Sequence, residues 1–106
     1  MAVGMLLAGE GVTEESYKQL TEEMFGSHPM PEGQAPEGCL IHSAGQSEQG
    51  WYIYDIWESQ EHFQRFVEDK LRPAMESLQL GDGGAPPKPQ FFPISTLVKG
   101  PALTSA

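Results

Sequence analysis

The chain has 106 residues, 39 % hydrophobic and 20 % charged, with a formal net charge of 6 − 15 = −9; this is the balance of one soluble domain. Such acidity argues against nucleic acid and anionic membrane as partners, since both are held by basic patches. The single cysteine, Cys39, cannot form an intramolecular disulfide, and no apolar run approaches the roughly 20 residues of a spanning helix; the start, MAVGMLLAGEG, lacks the positive region of a signal peptide, so a cytoplasmic protein is expected.

In chain order, AVGMLLA (2–8) reads as a buried strand closed by Gly9 and Gly11. Thr13 is placed as a helix N-cap, with Glu14 and Glu15 favoured by the helix dipole. Tyr17, Leu20, Met24 and Phe25 follow as an amphipathic stripe, and Gly26 should stop the helix. Three prolines and a glycine make 27–37 a loop. GCLIHSA (38–44) reads as a second strand, joined by GQSEQG, a hairpin turn of about four residues, to WYIYDIW (51–57). Ser59 then caps a helix whose stripe runs from Phe63 to Leu78; Pro73 should kink or split it at Arg72. After a loop at 80–90, FFPISTLV (91–98) is the last strand, and Pro93 suits it to a sheet edge. One domain over 1–99 and a flexible tail over 100–106 are expected.

The order β-α-β-β-α-β predicts an α+β, ferredoxin-like sandwich: a four-stranded antiparallel sheet, order 4-1-3-2, with two helices on one face. WYIYDIW then has a use for both its faces. Trp51, Ile53, Asp55 and Trp57 would meet the helices. Tyr52, Tyr54 and Ile56, with residues of the fourth strand such as Phe92 and Ile94, or Phe91 and Leu97, would leave an apolar patch that a second copy could bury. A homodimer is therefore expected.

The order of elements, the tract YDIWES entering a helix and the following HFQRFVEDKLRPAM resemble the dimeric α+β barrel superfamily, most of all its antibiotic biosynthesis monooxygenase-like group, over about residues 2–98. The resemblance implies a ligand cleft between sheet and helices of each protomer. Its members include cofactor-independent monooxygenases of polyphenolic aromatics and haem-degrading enzymes. The haem-degrading branch uses an Asn near the end of the first strand and a haem-ligating His on the second helix. This chain has no Asn, and its helix-two histidine, His62, lies on the first turn. Haem degradation is not expected, and no cofactor is implied.

Within that frame Trp57 is either a cleft wall for a flat ligand, as the resemblance implies, or a core residue locking the second helix to the sheet. Trp51 shares its face beside the hairpin, where packing is the simpler role, and Ile53 lies between them. Asp55 is the odd residue: an acid among apolar neighbours can act as a general base or be satisfied by a nearby donor. His42 would be a diagonal neighbour of Asp55 if Gly45 lies opposite Gly50; a register slip of one would turn it to the other face. Tyr17 could aim its hydroxyl into the cleft, although its place in the stripe favours packing. The three histidines lack metal-ligand spacing, Cys39 reads as a small buried hydrophobe, and neither GEG (9–11) nor GDGG (81–84) is a nucleotide loop. The expected function is binding of a small aromatic ligand, with Trp57, Trp51, Ile53 and Tyr17 around it and Asp55 with His42 as catalytic pair of a cofactor-independent monooxygenase. A non-catalytic binding or accessory protein is the alternative.

Overall fold

Strand β1 (Val3–Ala8) leads to helix α1 (Glu14–Phe25), and β2 (Cys39–Ser47) with β3 (Gly50–Trp57) forms a hairpin. Helix α2 (Gln60–Phe66) continues through a π turn (Val67–Leu71) into α3 (Arg72–Ser77), before β4 (Gln90–Pro93) and a last helical turn, α4 (Pro101–Thr104). The computed structural model describes residues 1–9, 12–27, 35–79, 88–98 and 100–104; His28, Gly11 and GDGG (81–84) lie outside them. All strand pairs are antiparallel, in the order β2-β3-β1-β4, which is the expected topology.

Local chemistry sets the helix ends. Thr13 and Ser16 form a reciprocal capping box on α1, and Gly26, at φ 82°, ends it in the left-handed conformation that glycine reaches without strain. The Ser59 hydroxyl accepts the His62 N–H at 3.1 Å and starts α2. Pro73 acts one turn ahead of itself. In a regular α-helix its ring would crowd the Asp69 carbonyl; instead the backbone widens over Val67–Leu71, with the Arg72 N–H reaching back to the Val67 carbonyl.

Two details differ from the sequence expectation. The hairpin turn is only Glu48–Gln49: Ser47 pairs with Gly50, which takes φ 122°. The Ser47 hydroxyl accepts the Gln49 N–H and donates to the Gly50 carbonyl, closing the tighter turn and extending β2. Strand β4 stops at Pro93, which has no N–H to continue the ladder; the Ile94 N–H adds one more bond, to the Ala2 carbonyl at 2.9 Å. Leu97 and Val98, expected within it, are exposed. Beyond β4, Pro101 supplies a preset helical φ at the first position of the turn α4.

The packed core sits at one end, where Met5, Trp57 and Phe63 are buried and Val3, Phe66 and Phe91 lean on them. Elsewhere α1 packs against α3 and the π turn. On the opposite sheet face the Tyr52 ring crosses Gly45 and the Tyr54 ring crosses Gly4, each so closely that an added Cβ would lie 2.9 Å from the phenol oxygen. Tyr54 and Phe92 keep 37 % and 44 % of their surface exposed there.

Candidate functional site

The two-residue turn decides the register of the hairpin. It sets His42 directly opposite Asp55, not diagonal to it, on the face that looks toward the helices. Adjacent cross-strand side chains are close enough to bond, and the His42 Nδ1 lies 2.8 Å from Asp55 Oδ1. Asp55 is 5 % exposed, so its carboxylate needs partners. The second comes from two residues along the same strand: the Trp57 indole N–H donates to Oδ2 at 3.2 Å.

On the far side, the Tyr17 hydroxyl reaches from α1 across the gap to His42 Nε2 at 2.6 Å. For a neutral imidazole, one arrangement of protons satisfies all three bonds. Trp57 and His42 Nδ1–H donate to Asp55, and Tyr17 O–H donates to the free Nε2 lone pair; the tautomer follows from the network. Burial holds the Tyr17 pKa above its ordinary value; a side-chain hydrogen bond from Thr21 opposes this and the charge of Asp55 adds to it. Tyr17 is thus kept as a neutral phenol.

These groups border a cavity of about 1260 Å³ between α1, the α2–α3 rod and the sheet, larger than most small-molecule pockets, which span roughly 300–1,000 Å³. Tyr17, His42, Ile53 and Asp55 line it, with Leu7 and Phe91 among the apolar walls. Two expected ligand contacts are placed differently. Trp57 borders the cavity but is only 1 % exposed, edge-on to Phe63 at 5.5 Å and tilted on Phe66, so its ring is a core lock and a donor to Asp55, with no face left to stack on a ligand. Trp51 is not among the lining residues; at the hairpin end it packs behind Tyr17, ring centroids 5.5 Å apart, and its buried Nε1–H has no acceptor among the described residues.

Thr21 and Cys39 were not foreseen at the site. Thr21 is 2 % exposed, and its hydroxyl donates to the Tyr17 carbonyl one turn back at 2.8 Å; a threonine four residues after Tyr17, on the apolar stripe, is the signal that could have found it. Cys39, opposite Trp57, also lines the cavity, and burial followed by the charge of Asp55 pushes its thiol up to about 12. Among the described residues no three His, Cys, Asp or Glu side chains converge as a metal site requires.

Solved structures share this architecture along nearly the whole chain. A candidate antibiotic biosynthesis monooxygenase from Chloroflexus aurantiacus J-10-fl is similar at a TM-score of 0.57 and 16 % identity, over 94 % of this chain and 100 % of that one. Rv0793 from Mycobacterium tuberculosis is similar at 0.54 and 13 %, over 92 % and 97 %. A second candidate monooxygenase of this type, from Deinococcus radiodurans, is similar at 0.52 and 12 %, over 92 % and 94 %. The chain has the fold of the antibiotic biosynthesis monooxygenase-like group. No family model matches the sequence and no curated protein matches it, so the likeness is one of fold. In this monooxygenase-like fold the space between sheet and helices is the cavity described above, and no helix among the described residues is long and apolar enough to cross a membrane.

Proposed function

We propose that the protein binds a flat, weakly acidic aromatic molecule in the cavity and takes a proton from it, readying it to react with oxygen without a bound cofactor. The observation that carries this reading is the chain Tyr17–His42–Asp55–Trp57, which runs from the cavity into the core with a donor and an acceptor at each joint. A phenol or enolisable ketone seated against Tyr17 passes its proton to the Tyr17 oxygen as the Tyr17 proton moves to His42 Nε2. The imidazolium is stabilised by Asp55, and no free tyrosinate forms, in keeping with the raised Tyr17 pKa. For an anthrone the carbanion then meets oxygen: one oxygen atom stays as the new carbonyl, the other leaves with two hydrogens as water.

Oxygen uptake with anthrone tests this. One O₂ consumed per quinone formed, falling sharply in Asp55→Asn, is the expected result. Quenching of tryptophan fluorescence by the same compound with no substrate loss would instead make the protein a non-catalytic binder.

A homodimer joined through the outer sheet face belongs to the same proposal. Exposed Tyr54 and Phe92 on a flat face support it. Light scattering should give twice the chain mass, and Tyr54→Glu should halve it.

A further inference from the structure

We infer that Tyr17 is a redox-active tyrosine, able to give a hydrogen atom's worth of charge, electron outward and proton to His42, to a radical formed in the cavity. A phenol is hard to oxidise by loss of an electron alone, because the cation it leaves is a very strong acid. It becomes oxidisable when a base already holds the departing proton. His42 Nε2 stands 2.6 Å from the Tyr17 oxygen, and Asp55, 2.8 Å from Nδ1, takes up the charge of the imidazolium that results. The raised pKa of Tyr17 closes the other route, deprotonation first and oxidation second.

The neighbouring rings favour Tyr17 as the place where the charge rests. Trp51 is in contact with it, but among the described residues its buried N–H has no acceptor, whereas the Tyr17 phenol has one, so proton-coupled oxidation favours Tyr17. Tyr52 and Tyr54, the only other tyrosines, lie on the opposite sheet face across glycines, with no histidine or acid bonded to their hydroxyls among the described residues.

The balanced step needs a one-electron oxidant, for which the proposal names a phenoxyl-type radical of the cavity's ligand. Once His42 has passed the substrate's proton to solvent, the Tyr17 O–H bond breaks, a His42 N–H bond forms, and one electron passes from Tyr17 to the ligand radical, which becomes its phenolate. The tyrosyl radical is later reduced by one electron from a small thiolate, which leaves as a thiyl radical, and the proton returns from His42 to the Tyr17 oxygen. The ligand radical rests on the oxygenase reading above; the redox character of Tyr17 does not.

The test therefore uses ligand-free protein, oxidised by a flash-quenched ruthenium tris-bipyridine complex and read by electron paramagnetic resonance. The expected signal is a neutral tyrosyl radical, kept in the Tyr52→Phe/Tyr54→Phe double variant and lost in Tyr17→Phe. His42→Gln, which keeps a polar side chain without the base, should lose it too, and gives the answer if Tyr17→Phe fails to fold. A signal that survives in Tyr17→Phe or His42→Gln, or that resides on a tryptophan, overturns the inference. Anthrone turnover with no Tyr17 radical removes this inference alone; a Tyr17 radical without turnover removes only the oxygenase reading.

Discussion

Two histidines in this chain are built from the same parts and stand in different settings. His42 has a hydroxyl at one ring nitrogen and a carboxylate at the other, Tyr17 and Asp55. His62 has Ser59 at Nδ1, 2.7 Å, and Glu58 3.8 Å from Nε2. The difference is where the partners come from. Ser59 and Glu58 lie within four residues of His62 at a helix start, and Glu58 is more than half exposed, so the group is a cap. Tyr17 and Asp55 reach His42 from another layer and another strand, and Asp55 is buried. The proposed function uses the hydroxyl–imidazole–carboxylate set that tertiary structure holds against the cavity.

The sharpest way to break that contrast is Asp55→Asn. The amide cannot accept from both Trp57 and His42, so oxygen uptake should fall by about 10²- to 10⁴-fold, the usual worth of general base catalysis. Urea denaturation should show a loss of about 2 kcal/mol, as for a buried hydrogen bond to a charged group. The same substitution removes one of the two causes that hold the Cys39 thiol at about 12, so alkylation of Cys39 at alkaline pH should speed up. In the unaltered protein that thiol, raised above its ordinary 9.0, contributes stability fully below pH 9 and loses it as pH rises toward 12; a denaturation series over that range should decline less steeply in Cys39→Ala.

On the His62 side, Gly38→Ala is expected to have the largest effect. Gly38 sits at φ 84°, and an added Cβ would fall 2.4 Å from the His62 ring. About 2 kcal/mol of stability should go, as for strained backbone with a clash, read as a lower melting temperature with anthrone oxidation per folded molecule unchanged. Ser59→Ala should cost about 1 kcal/mol, the usual value of an N-cap. Glu58→Gln should change stability by less than about 0.5 kcal/mol, since exposed ion pairs contribute little. If Glu58→Gln slowed turnover as Asp55→Asn does, the contrast between the two histidines would fail.

The fold was readable because its signals are local. Apolar runs, the breakers Gly26 and Pro36, and the caps Thr13 and Ser59 need only their neighbours to be interpreted. Asp55 was readable for the same reason, as an acid inside an apolar strand. The rest of the site depends on distance. Tyr17 lies in an apolar stripe, and periodicity cannot say that α1 stands far enough from the sheet for a hydroxyl to bridge the gap. Trp57 was open between wall and lock until its burial against Phe63 and its bond to Asp55 were seen. The face of His42 hung on a turn whose length is set by the Ser47 hydroxyl and the conformation of Gly50, neither visible as a pattern.

That turn has a consequence for how such a site can change over generations. Because strand side chains alternate, a one-residue gain or loss at Glu48–Gln49 that shifts the pairing by one would rotate His42 out of the cavity while leaving every residue of the site in the sequence. Substitutions at those two codons should drift freely, and length changes should not. Among descendants of this chain, the count of residues in one small loop would be a better guide to a working site than the presence of the site's own side chains.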